Sequence, residues 1–110
     1  MGSLSSSFER AELTTTVFLS GDLSGATSDQ FVREMGAERW VAGENVEVDL
    51  AGVELIDSSG TAALVRVLDQ VTAAGASMAI SRPRRAVLRA ITVAGVARVI
   101  PVGPIYAPGS

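Results

Sequence analysis

Two adjacent hydroxyls, Ser58 and Ser59, stand between Asp57 and Gly60 at the point where one pattern of apolar residues gives way to another. Upstream, Val46, Val48, Leu50, Val53 and Leu55 read as a buried strand and its exit turn. Downstream, Leu64, Val67, Leu68 and Val71 recur at helical spacing. Both serines therefore fall on the first turn of a helix, where unpaired backbone N–H groups and the positive end of the helix dipole favour negative charge. A phosphate ester formed there would meet a ready-made anion site, so the position is a candidate switch. Asp and Ser are also ordinary N-cap residues, and a purely structural role for Asp57 or Ser58, satisfying backbone donors, is the competing reading.

The inventory of other reactive side chains is short. Cysteine, histidine and lysine are all absent, and the nine basic residues are arginines. A Ser-His-Asp hydrolase lacks its imidazole base, a zinc site lacks its usual ligands, and the P-loop lysine and Ser-Lys dyad are missing together. A nucleophile elbow needs Gly-x-Ser-x-Gly, whereas Asp57 and Thr61 hold the outer positions around Ser59. The chain is accordingly read as a non-enzyme without metal or cofactor, and it shows no nucleotide motif of its own.

Charge is unevenly spread. All twelve acidic residues lie at or before Asp69, giving a sum of −8 to that point and +5 beyond it. The segment holding Arg82, Arg84, Arg85, Arg89 and Arg98 is either a basic docking face or a solvated helix surface. The sequence pI of about 4.8 argues against a nucleic-acid partner. No apolar run approaches the roughly 18 residues needed to cross a bilayer, and no signal peptide opens the chain, so a cytoplasmic location with no membrane partner is expected.

The elements that must hold the serines follow from periodicity and turn signals. At 110 residues the chain fits one domain. Residues 1–7 are Ser-rich and read as a disordered N-terminus or tag remnant, 8–103 as the domain, and 104–110 as a tail. Phe8 to Leu13 and Thr14 to Ser20 read as two strands, joined too closely for a crossover and so antiparallel. Gly21 to Gly25 reads as a loop, and Thr27 with Gln30 as a capping box opening a helix that turns Phe31, Met35 and Trp40 inward. A third strand spans Val46 to Leu50, and the helix behind the serines runs to about Ala74, stopped by Gly75. Ser77 to Ser81 is a short buried strand. A helix beginning at Ser81 with Pro83 carries the stripe Val87, Leu88 and Ile91 and ends by Gly95, and Val96 to Val102 forms a last edge strand. Strands alternating with helices predict an α/β domain: a mixed, mostly parallel sheet of four to five strands packed with three to four helices.

The stretch VEVDLAGVELIDSSGTAALVRVLDQV resembles the STAS domain of bacterial anti-sigma factor antagonists. That family is marked by an aspartate, two serines and a glycine at this junction, the second serine taking phosphate from a partner kinase. The resemblance implies Ser59 as phosphoacceptor, framed by Asp57, Ser58 and Gly60. The family's Gly-Glu-Leu-Asp turn corresponds to Gly21, Asp22, Leu23 and Ser24, with serine in place of the last aspartate. It implies a partner-binding surface of Asp22, Leu23, Ser24 and Thr61 beside the two serines. The implied partners are an anti-sigma factor that is also a serine protein kinase, with ATP bound by that partner, and a protein phosphatase. The unmodified form would bind the anti-sigma factor and free a sigma factor; phosphorylation at Ser59 would release it. STAS modules of anion transporters and of stress-signalling scaffolds are the alternative.

Overall fold

A computed structural model describes residues 2–107. Four strands, β1 (Leu4–Ala11), β2 (Thr14–Leu23), β3 (Asn45–Ile56) and β4 (Ser77–Ser81), form one sheet in the order β1-β2-β3-β4. The β1/β2 hairpin is antiparallel, while β2/β3 and β3/β4 are parallel. The helices are α1 (Ser28–Gly36), α2 (Ser58–Ala73) and α3 (Arg85–Val93), with a single 3-10 turn at Val96–Arg98. The architecture is the expected mixed α/β domain, at the four-strand, three-helix end of the range.

Alternation sorts the sheet into two faces. In β2, Thr15, Val17 and Leu19 are buried while Thr14, Thr16 and Phe18 stay partly exposed, as period-2 geometry requires of a sheet covered on one side. The core joins Val17, Leu19, Val48 and Leu50 to Phe31 and Met35 of α1, Leu64, Val67 and Val71 of α2, and Val87 and Ile91 of α3. Burial of these side chains, each contributing about 1.5–3 kcal/mol, fixes where α2 begins.

Five features depart from the sequence expectations. First, Leu4 to Ser7, expected to be disordered, form the first half of β1, paired with Phe18 to Gly21. An edge strand buries only alternate residues, so serines suffice there: Leu4 is buried, Gln30 Nε2 donates to its carbonyl (3.0 Å), and Ser6 Oγ donates to Glu34 (2.7 Å). Met1 lies outside the described residues. Second, β2 runs past Ser20 to Leu23 through two register shifts, with Gly21 at φ +110 and so close to β1 that a Cβ would lie 2.2 Å from the Ser3 carbonyl oxygen.

Third, Thr27 makes no side-chain cap bond to α1; its hydroxyl donates to the Asp22 carbonyl (2.7 Å) and accepts from Ser24 N–H (3.0 Å), so it fastens the loop rather than the helix. Trp40 lies beyond the end of α1, yet is buried with Nε1 on the Met35 carbonyl. Fourth, α3 is capped at Arg84 and not at Ser81, which completes β4; Arg82 at φ +50 then turns the chain, held by its ion pair to buried Asp49 (2.8 Å). Fifth, the last strand shrinks to one parallel bridge, Ile80 with Val102, because Pro101 and Pro104 have no N–H to extend a ladder. Of the expected tail, Tyr106 is anchored: its N–H donates to the Pro83 carbonyl, and its ring lies 5.3 and 5.6 Å from the Arg82 and Arg84 guanidinium carbons. Residues 108–110 lie outside the described residues.

Candidate functional site

The site sits where β3 delivers the chain into α2. Asp57 is the N-cap, in extended conformation, and its two carboxylate oxygens do different things. Oδ1 accepts the Gly60 N–H (3.0 Å), which caps the helix, and Oδ2 accepts the Gly25 N–H (3.1 Å), which ties the β2–α1 loop to the helix mouth. These donors, Gly60 first and then Gly25, hold the Asp57 carboxyl below the ordinary aspartate range. The cap and the loop tether are thus one carboxylate.

Gly60 sets how close the helix may come. It is buried against the end of β2, and a Cβ there would fall 2.1 Å from the Leu23 carbonyl oxygen and 2.8 Å from Ile56 Cγ1. Only glycine lets the first turn of α2 reach that backbone. The turn before it carries Ser58 and Ser59, both exposed, and neither hydroxyl takes part in a hydrogen bond among the described residues. The two point into different surroundings. Ser59 Oγ lies near the Gly25 backbone, 3.7 Å from where a Cβ on Gly25 would be, whereas Ser58 lines a groove between α2 and α3.

The remaining candidates divide. Asp22 is half-exposed near the end of β2, and its carbonyl is held by Thr27. Leu23, expected on the binding surface, is fully buried: beyond the second register shift it pairs with Ile56 and its side chain joins the core, so it has no surface to offer. Ser24 is buried as well, its carbonyl accepting the Thr27 and Ser28 N–H groups at the start of α1. Thr61 is buried with its hydroxyl on the Ser58 carbonyl (2.9 Å), though it still lines the groove. The structure therefore gathers Asp57, Ser58, Ser59 and Gly60, sets the Asp22 side chain against Gly2, and turns the other three expected contact residues largely inward.

Sequence reasoning missed two contributors. Gly25 donates to Asp57 and faces Ser59, and Thr27 fixes the loop that places Gly25; the loop glycine offered a signal only in retrospect of its partner across 32 residues. On the far side of the groove, Ala86, Arg89, Ala90 and Val93 of α3 form the opposing wall. Of the basic segment, Arg82 pairs with Asp49 and Arg84 Nε donates to the Ala51 carbonyl (2.7 Å), so those two are structural.

Chemically, the arrangement presents hydroxyls without a base. The Asp57 carboxylate is engaged by two N–H donors and its lowered pKa makes it a weak proton acceptor. Among the described residues no cluster of three or more acidic side chains is poised to hold a metal, and no helix is long and apolar enough to cross a membrane.

A mixed four-stranded sheet with Asp57, Ser58 and Ser59 exposed over a buried Gly60 at the mouth of a central helix defines a class of small α/β domains. The family model of the STAS domain matches residues 6–107, and the chain belongs to that family. Comparison with curated proteins gives no significant match. Among solved structures, an anti-sigma factor antagonist from Mycobacterium paratuberculosis is similar at TM-score 0.80, with 20% identity over 93% of this chain and 86% of that one. The anti-sigma factor antagonist SpoIIAA in its unphosphorylated form is similar at TM-score 0.68, with 16% identity over 91% of this chain and 89% of that one. The murine anion transporter Solute Carrier 26 family member A9 matches at TM-score 0.72 and 19% identity, over 88% of this chain but 17% of the transporter. At these identities the likeness is one of fold.

Proposed function

We propose that this chain is an anti-sigma factor antagonist switched by phosphorylation of Ser59. The observation that carries the reading is the exposed, unengaged Ser59 hydroxyl on the first turn of α2, beside a carboxylate too well satisfied to activate it. Such a hydroxyl needs a base and a phosphoryl donor from outside, which a partner serine kinase with bound ATP supplies. The antagonists among its structural neighbours support the same class.

In this account the unmodified surface around Asp22, Ser58 and Ser59 docks on the anti-sigma factor, which then gives up its sigma factor. Phosphorylation adds about −1.5 to −2 charge at Ser59, next to Asp57, and the crowded anionic surface leaves the partner. A coupling of about 1–3 kcal/mol between modification and binding is enough to redistribute partners. A phosphatase resets the switch, and the chain itself performs no catalysis. Its place of action is the cytoplasm. The test is incubation with an anti-sigma factor kinase and ATP followed by mass mapping: label is expected on Ser59 and lost in Ser59→Ala, whereas undiminished label in that variant would exclude the assigned acceptor. The transporter neighbour favours a second reading, a STAS module attached to a larger protein, in which no kinase would label the chain.

A further inference from the structure

Beside the serines, the groove between α2 and α3 encloses about 520 Å³ and opens at Ser58, one residue from the proposed acceptor. Its α3 wall is built from Ala86, Ala90 and Ala94, spaced four apart and so stacked on one face of the helix, and its floor is closed by Ile56. Small side chains there let another backbone come close. The lining is apolar on its α3 side, and Val93 at its edge is bare, 84% exposed. An apolar groove that ends in an exposed valine offers a continuous apolar surface to a partner.

The charge in the groove is also unanswered. The four ion pairs among the described residues use Arg10, Arg66 and Arg82, and neither Arg85 nor Arg89 enters one. Asp57, the acid that lines the groove, already accepts from Gly60 and Gly25. The exposed guanidinium of Arg89 is therefore available to a carboxylate of an occupant. A groove between two helices, with an apolar floor and a single basic rim, suits an amphipathic helix laid along it.

We propose that this groove seats an amphipathic helix of the phosphorylating anti-sigma factor, with apolar side chains against Ala86, Ala90 and Val93 and a carboxylate against Arg89. The inference rests on the phosphoswitch reading above and names the docking element that brings the kinase to Ser59. Each purified anti-sigma factor kinase of the source genome is first assayed with ATP for labelling of Ser59, and the one that labels it is titrated against wild type, Val93→Asp and Arg89→Glu by calorimetry. Both side chains are exposed, so both variants should keep the wild-type circular dichroism and remain substrates at saturating kinase.

Val93→Asp should weaken binding roughly tenfold or more, as loss of an apolar anchor does. Arg89→Glu should weaken it by about tenfold and flatten the salt dependence of Kd. Wild-type affinity in both variants, with Ser59 still labelled, would overturn the docking assignment and leave the switch intact. Failure of every kinase to label wild-type Ser59 would instead remove the reading on which it rests. Self-association of the chain that Val93→Asp abolishes would assign the groove to a second copy and overturn the proposal as well.

Discussion

Strand β3 begins and ends at a carboxylate, and the two junctions are built alike but finished differently. At its start, buried Glu44 accepts from the Thr15 hydroxyl, from the Val41 N–H (3.0 Å) and from Arg10 (3.4 Å), pinning the turn before β3 to β2. At its end, exposed Asp57 accepts from the Gly60 and Gly25 N–H groups and pins the turn after β3 to the loop after β2. Burial pushes the Glu44 carboxyl up, but its three donors outweigh that and leave it below the ordinary range, as the backbone donors leave Asp57. The difference is in the hydroxyls. Thr15 spends its own on Glu44, whereas Ser58 and Ser59 spend theirs on nothing. A junction whose polar groups are all paired holds the fold together; one that leaves two hydroxyls facing solvent at a helix mouth is open to modification.

Substitutions that separate the two junctions range from severe to silent. Gly60→Ala forces a Cβ into the Leu23 carbonyl, so it should destabilise by about 3 kcal/mol, the upper range for overpacking, in urea unfolding. A wild-type midpoint would mean that α2 does not approach β2 so closely. Glu44→Gln leaves the buried site with poorer partners and should cost about 2 kcal/mol while Ser59 labelling at saturating kinase stays normal. Reduced labelling in a variant still folded would show that the two ends of β3 are coupled.

Asp57→Ala should cost about 1 kcal/mol, the usual value of a cap, but it frees the Gly25 loop and should slow Ser59 labelling more than it lowers stability. Equal labelling would demote the carboxylate to a cap alone. Both folded-state pKa values are depressed, so both groups contribute stability above the ordinary carboxylate range of about 4 and lose it as pH falls through their lower folded values. The acid limb of the stability curve should flatten in Glu44→Gln and in Asp57→Asn, and an unchanged limb would contradict the hydrogen-bond assignments. Smallest of all, Ser58→Ala and Ser59→Ala should leave stability within about 0.5 kcal/mol, since neither hydroxyl is bonded.

The same contrast explains what was legible in the sequence. Local signals served well where one residue answers its neighbour: the Asp57 cap, the helix from Ser58 to Ala73, Gly75 behind it, and β4 at Ser77–Ser81. They failed where a distant partner decides. The serines of β1 look disordered until β2 pairs with them, and Leu23 looks like a loop residue until the register shift turns it inward. Thr27 and Gln30 have capping-box spacing, yet Asp22, Ser24 and Leu4 offer them better partners. Val96 to Val102 has strand-like composition, but its prolines leave one bridge. The Asp57-Ser58-Ser59-Gly60 turn was visible because it is local, and the groove beside it was not because α3, far along the chain, supplies half of it.

The most direct test compares the unmodified chain with its Ser59-phosphorylated form, purified and mass-verified, for binding to the same anti-sigma factor kinase by calorimetry. The account predicts a loss of affinity of at least about tenfold on phosphorylation, corresponding to about 1.4 kcal/mol. Equal affinities for the two forms would contradict it.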